Sequence, residues 1–253
     1  MYEEFAAVYD ALMDDFDYPK WAAYYLDLLA EAGCRPRTLF ECGCGTGSLS
    51  IPLARTGIKL TASDLSEDML RLAQEKARAS GVPVPFVKMD MRALELPRPV
   101  DAIIAGCDAV NYLLSERDAL AFFRAAHRFL KPGGVLAFDV SSERKLTAMD
   151  NAFFGEERDK IAYLWQNSLD ASTRVIAMDL TFFVEAENGL YRRFEERHLQ
   201  RAHSEEELRQ WLSEAGFSEI RVYGDRVMRP PAEEEDRLHF TAKKTSSGVR
   251  THD

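Results

Sequence analysis

Three carboxylates and three glycines near the start of this 253-residue chain have the types and spacing to hold a polar ligand. Glu41-x-Gly43-x-Gly45-x-Gly47 follows the apolar Thr38, Leu39 and Phe40 and precedes Leu49, Ile51, Leu53 and Ala54, which begin a helical pattern. A strand that runs through a glycine turn into a helix forms a nucleotide cradle, because glycine has no Cβ and lets a ligand approach the backbone closely. About twenty residues on, Asp64 closes a second expected strand, Ile58 to Ser63, where one carboxylate can accept from both hydroxyls of a ribose. Asp90 closes a third, Val84 to Met89, where it can accept from an exocyclic amine such as adenine's, with the Met91 N–H beside the ring edge.

Two ligand classes use this geometry, and the details separate them. The nicotinamide fingerprint is G-x-G-x-x-G/A; counted from Gly43, its third small position is Ser48, with a glycine one place earlier at Gly47. A pyrophosphate would also be repelled by Glu41 just ahead of the turn, whereas a ligand carrying an ammonium group would be attracted. Ammonium, ribose and adenine together describe S-adenosylmethionine. Four ordered motifs, ECGCGTG, SDLS, KMDM and LKPGG, resemble those of class I S-adenosylmethionine-dependent methyltransferases over roughly residues 36–140, and the resemblance resumes near 204–244.

The resemblance implies S-adenosyl-L-methionine as cofactor and S-adenosyl-L-homocysteine as product. It places Leu65 and Met69 near the nucleoside, and an N-terminal helical segment over the cofactor with Tyr9 near its methionine end and Trp21 close by. Gly43, Cys44, Gly45 and Gly47 of the turn and Cys107 after the fourth strand complete the implied cofactor contacts. For chemistry on the acceptor, the candidates are Asp108 and Tyr112 after the fourth strand and His198 further on. Ligands of open α/β sheets bind outside the carboxyl ends of the strands, where the loop Gly106 to Tyr112 emerges.

The elements that must position these groups follow from periodicity. Phe5, Val8, Tyr9 and Leu12, then Trp21, Tyr24, Tyr25, Leu28 and Leu29, recur at helical spacing, and Gly33 and Pro36 stop the second helix. Ser66 is an N-cap for a helix carrying Met69, Leu70, Ala73 and Ala77 that ends at Gly81. Val100 to Ala105 is a continuous apolar run of the kind covered on both faces in a parallel sheet. Ser115-x-x-Asp118 opens a helix, Lys131 to Gly134 reads as the turn into a fifth strand, Val135 to Val140, and Asp139 is expected to cap the segment Ser141 to Met149.

From about Gly155 the period changes to two. Ile176, Met178, Leu180, Phe182 and Val184 alternate with their neighbours; Ile161, Tyr163 and Trp165 suggest a partner strand, and Asn188-Gly189 a hairpin turn into Tyr191 to Arg201. Phe194, His198 and Ala202 share one face of that strand, while its arginines read as a surface salt-bridged to Glu195 and Glu196. Ser204-x-x-Glu207 is a capping box for a further helix, and Phe217 to Tyr223 with Leu238 to Ala242 form the last hairpin.

The expected fold is therefore α/β, a Rossmann-like doubly wound sheet of about seven strands with the last hairpin antiparallel, N-terminal helices and an inserted antiparallel β cap. One domain spans 1–253, with a helical lid over 1–33, the cap over 155–203 and a flexible tail over 245–253. The net charge of −10 argues against a broad nucleic-acid surface, which depends on Lys and Arg neutralising phosphates. No run of about eighteen apolar residues and no leader segment is present, so a cytoplasmic chain is expected, as monomer or homodimer. The four cysteines lack a zinc pattern and read as reduced packing residues. The expected activity is methyl transfer to a small molecule, an amine by preference because a neutral amine needs no strong base. A methyltransferase acting on RNA or protein, a non-catalytic binder of the cofactor and a nicotinamide oxidoreductase are the alternatives.

Overall fold

The structure is a computed structural model that describes residues 2–13 and 16–245; in its first helix the side chains of residues 2–5 and 7 are outside the description. The packing expected of Phe5 and the tail beyond residue 245 thus lie outside the described residues. Helices α1 (Tyr2–Leu12) and α2 (Tyr18–Glu31) lead into β1 (Thr38–Cys42), α3 (Ser50–Arg55), β2 (Lys59–Asp64), α4 (Glu67–Ala79), β3 (Phe86–Lys88), β4 (Val100–Ala105), α5 (Glu116–Phe129), β5 (Leu130–Ser141) and α6 (Glu143–Ala148). Four strands follow: β6 (Phe153–Arg158), β7 (Ile161–Asp170), β8 (Val175–Glu185) and β9 (Tyr191–Arg201). The chain then closes with α7 (Glu205–Glu214), β10 (Ser218–Tyr223) and β11 (Arg237–Lys243).

The main sheet has the order β10-β11-β5-β4-β1-β2-β3, with β1 to β5 parallel and β11 antiparallel to both neighbours. Because β2 and β4 lie on opposite sides of β1, the strand order reverses there, and the crevice at the carboxyl ends of β1 and β4 is the natural ligand position. Apolar side chains cover both faces: Phe122, Phe123, Leu208 and Trp211 of α5 and α7 on one side, Leu28, Leu29 and Leu53 of α2 and α3 on the other. This double coverage is why β4 reads as a continuous apolar run instead of an alternating one.

The second sheet, β6-β7-β8-β9, is antiparallel throughout and lies between α6 and α7 in the chain. Its inner face sets Phe182 and Phe194 against Ala6 and Val8 of α1 and Met69 of α4, and sets Ile176, Met178 and Ala202 against Leu146 of α6. Among the described residues no helix is long and apolar enough to cross a membrane.

Three expectations change. The second sheet begins at Phe153, not Gly155, with an unforeseen strand: Phe153-Phe154-Gly155-Glu156-Glu157-Arg158 has no alternating pattern and forms an edge with Phe153 62% exposed. Lys131 to Gly134 belongs to β5 instead of preceding it, and the ladder with β4 slips between Val100 and Ala102 to admit it. A Cβ at Gly134 would stand 2.9 Å from the Asp101 and Lys131 carbonyl oxygens, so only glycine fits. Glu196, expected on the surface, is buried on the inner face of β9, because cross-strand pairing places it opposite Leu180.

Candidate active site

The ends of β1, β2 and β4, the glycine turn, helix α1, the start of α2 and one strand of the second sheet converge on a cavity of about 420 Å³, within the range of small-ligand sites. Glu41, the fourth residue of β1, is 2% exposed and accepts a hydrogen bond from the Ser50 hydroxyl at 2.5 Å. No ion pair to it occurs among the described residues. Burial, with the Asp64 carboxylate adding to it, pushes the Glu41 carboxyl up to about 8, against one lowering influence from Ser50. An uncompensated buried carboxyl of this kind would gain from a cationic partner.

Asp64 ends β2 with its two oxygens turned to the chain: the Gly45 N–H donates to one at 2.8 Å and the Ser66 N–H to the other at 2.9 Å. Burial raises its carboxyl above the usual value, while these amide donors oppose the shift. A carboxylate has about four lone-pair positions, so these amides leave it capacity to accept further hydrogen bonds. Asp90 lines the same cavity, but Arg92 takes up its carboxylate through the guanidinium, at distances down to 2.5 Å, and through the backbone N–H. The acceptor role expected for Asp90 toward an adenine amine therefore competes with Arg92.

The glycine turn divides its duties. Gly43 has φ +68°, and a Cβ there would come within 2.8 Å of the Ala109 Cβ; at Gly45 nothing lies within 4 Å. Gly47 does not line the cavity, since its open side is filled by Ala73 of α4 at 3.0 Å and Phe86 of β3 at 3.1 Å. It performs the close helix-to-strand packing that the dinucleotide fingerprint assigns to a position one residue later. Both Gly43→Ala and Gly45→Ala should lose roughly 1 kcal/mol to the left-handed backbone. Gly43→Ala should lose more, and calorimetric melting of the two variants side by side checks this; equal melting temperatures would contradict the contact.

The turn is also tied to α1. Asp10 accepts from the Thr46 hydroxyl at 2.7 Å and from Lys76 Nζ of α4 at 2.8 Å, and Lys76 Nζ reaches Ser48 Oγ at 2.6 Å. This cluster holds α1 so that Tyr9, the residue before Asp10, lines the cavity.

Beyond β4, Cys107 and Asp108 adopt φ of 54° and 64°, two consecutive non-glycine residues in the left-handed region. Such strain persists only where surrounding structure compels it. Asp139 of β5 supplies the constraint: its fully buried carboxylate accepts from the Cys107 N–H at 2.8 Å, the Asp108 N–H at 3.1 Å and the Tyr25 hydroxyl at 2.5 Å. Arg237 of β11 bridges Asp139 and Asp108. Burial by itself would raise the Asp139 carboxyl, and Arg237, with His239, overcomes it and holds the group below its ordinary value.

Two acid assignments are corrected here. Asp139 is not a cap, for Ser142 performs that role by accepting from the Lys145 N–H; Asp108 is drawn onto Arg237 and does not line the cavity, although Cys107 beside it does. Trp21 turns away from the cavity too, stacking on Phe16 at 4.7 Å and lying under the Arg237 guanidinium at 5.1 Å.

Tyr9, Cys44, Leu65, Met69, Met91, Tyr112 and His198 line the cavity. The Tyr112 hydroxyl sits 3.4 Å from His198 Nδ1 and the rings meet edge to face. Burial lowers the His198 pKa, so its imidazole is neutral at pH 7. Tyr18 and Arg92 are lining residues that periodicity did not single out. Tyr18 is the first residue of α2 and falls outside its apolar stripe; Arg92 follows the KMDM motif and reads as an ordinary surface cation.

The residues fit S-adenosylmethionine: a buried acid without a cation for the ammonium, an amide-held carboxylate for the ribose, and a glycine wall where a side chain would intrude. No cluster of three or more His, Cys, Asp and Glu side chains among the described residues is arranged for a metal ion.

A family profile described as a methyltransferase domain matches residues 40–134. The chain is 36% identical over 252 residues to YqeM of Bacillus subtilis (strain 168), named as a methyltransferase, covering 98% of this chain and 99% of that protein. A protein of Geobacillus sp. (strain WCH70), also named as a methyltransferase, is 36% identical over 245 residues, 96% of this chain and 99% of its own. The crystal structure of an S-adenosylmethionine-dependent methyltransferase from Clostridium acetobutylicum ATCC 824 superposes with a TM-score of 0.87 at 29% identity, over 97% of this chain and 99% of the other.

Proposed function

This chain belongs to the S-adenosylmethionine-dependent methyltransferases, and from that premise we propose that its acceptor is a small amine without phosphate or carboxylate groups. One observation carries this reading: the cavity's tyrosine-rich wall offers Tyr9, Tyr18, Tyr112 and a neutral His198, while each carboxylate near it has another use. Glu41 and Asp64 are assigned to the cofactor, Asp90 holds Arg92, and Asp108 holds Arg237. Arg92 is the one Lys or Arg lining the cavity, so an anionic acceptor finds no free counter-charge among the described residues.

S-adenosylmethionine supplies a methyl group already activated by the positive sulfur. The chain's own task is to orient the acceptor, exclude water and receive a proton. Glu41 and Asp64 would hold the ammonium and ribose, and Tyr9 on α1 with His198 on the second sheet would enclose the acceptor from above. Lid and cap are the roles these two segments take in this reading. His198, kept neutral by burial, would take up the proton on its imidazole, with Tyr112 at Nδ1 to orient it.

Incubation with S-adenosylmethionine and a panel of hydroxylated amines, amino sugars, phenols and transfer RNA tests this directly. Products of one added methyl on nitrogen are expected; methyl transfer confined to phenols or RNA would overturn it. With an accepted amine, His198→Ala should lower kcat by roughly 10- to 100-fold near pH 7. The loss should shrink as pH rises, because the amine then arrives already neutral and the missing proton acceptor matters less.

A further inference from the structure

We propose that binding of the cofactor is coupled to loss of a proton from Glu41, which makes this side chain a gate that admits ligands carrying an ammonium group in preference to the bare nucleoside. The inference rests on the family reading and goes beyond it in assigning a proton to the binding step. The geometry is that of a carboxyl group with one donor, the Ser50 hydroxyl on α3, and no cationic partner among the described residues. The titratable groups that face it are all acids: Asp64 on β2, Cys42 on its own strand, Cys44 in the turn and Cys107 after β4. Nothing in that set stabilises a negative charge, and Asp64 disfavours a second one.

The consequence follows from the charge balance. Burial lifts Glu41 to about 8, so at pH 7 the empty site holds a neutral carboxylic acid. An arriving ammonium is the missing counter-charge: it favours the carboxylate, and the proton leaves to solvent. A carboxyl left neutral beside an uncharged ligand has no reason to ionise. Below the free-site pKa each step down in pH should therefore weaken binding by about tenfold, and above it affinity should level off. Asp64 does not share this behaviour, because the Gly45 and Ser66 N–H groups oppose its protonation whether or not the site is filled.

S-adenosylhomocysteine is the suitable probe, since its zwitterionic ammonium remains charged through neutral pH and its sulfur is uncharged. Titration calorimetry at pH 7 in phosphate and in Tris, which differ in ionisation enthalpy, reads the number of protons released. Close to one is expected for S-adenosylhomocysteine, and close to none for methylthioadenosine, which shares the nucleoside but lacks the amino acid. Glu41→Gln should abolish the release and flatten the dependence of affinity on pH between 6 and 8, while leaving methylthioadenosine binding unchanged. Binding of S-adenosylhomocysteine without proton release, or release that persists in Glu41→Gln, would overturn the proposal. Failure of both ligands to bind at all would instead count against the cofactor assignment itself.

Discussion

Asp64→Ala should raise the dissociation constant for S-adenosylmethionine by about 100- to 10,000-fold. The expected loss is two hydrogen bonds to a charged acceptor, each contributing about 1.5–3 kcal/mol, with every 1.4 kcal/mol a factor of ten. The variant also removes the acceptor of the Gly45 and Ser66 N–H groups, which loosens the turn between Gly43 and Gly47. Asp64→Asn should fall between the two, because its carbonyl oxygen still accepts but its amide nitrogen cannot. Titration calorimetry with the purified variants measures this, and an unaltered dissociation constant in Asp64→Ala would remove the ribose assignment. Melting without ligand serves as the control, because it reads how much of the loss comes from the turn once the Gly45 and Ser66 N–H groups have no acceptor.

The second large effect concerns stability. Arg237→Leu strands two carboxylates, Asp139 fully buried and Asp108 mostly so, and removing one partner of a buried ion pair costs about 3–5 kcal/mol. For a chain of this length that corresponds to a fall in melting temperature of roughly 6–20 °C at pH 7. The sign of the pH dependence follows from Asp139, whose folded carboxyl lies below its unfolded value because Arg237 outweighs burial. Its contribution in the native protein is therefore fully present above the unfolded pKa and lost as pH falls through the folded one. In Arg237→Leu the same carboxyl is buried without its cation and favours the protonated form, so the gap between variant and native protein should be widest near neutrality and narrow in acid. The double change Arg237→Leu with Asp139→Asn removes the buried charge and should recover part of the lost stability. A gap that stays constant from pH 4 to pH 8 would show that charge is not what holds the Cys107–Asp108 turn.

The parts of the site legible in sequence are those whose residues lie close together along the chain. Glu41 to Gly47 is one unbroken segment, and strand, turn and helix each carry a local signature: an apolar run, glycines where φ must be positive, and 3.6-residue spacing. Asp64 is similarly read from the end of its own strand. The period-two pattern of Ile176 to Val184 announces an antiparallel strand without any partner in view, whereas Phe153 to Arg158, an edge lacking that pattern, does not announce itself.

What the chain's local order determined, then, was the cradle, the element types and the cofactor chemistry that the acids imply. Tertiary structure decided which polar groups remain available. Asp108 read as a candidate for chemistry on the acceptor and Asp139 as a cap, yet Arg237, 129 residues from one and 98 from the other, claims both. Trp21 was turned from the cavity by the same arginine and by Phe16, and Tyr18 took a place on the cavity wall instead. Periodicity reports which face of an element is apolar, a property of neighbouring residues. The charge state of a buried carboxyl depends on what the fold brings within about 4 Å of it, and pairs separated by a hundred residues meet only once the sheet order has placed β11 beside β5.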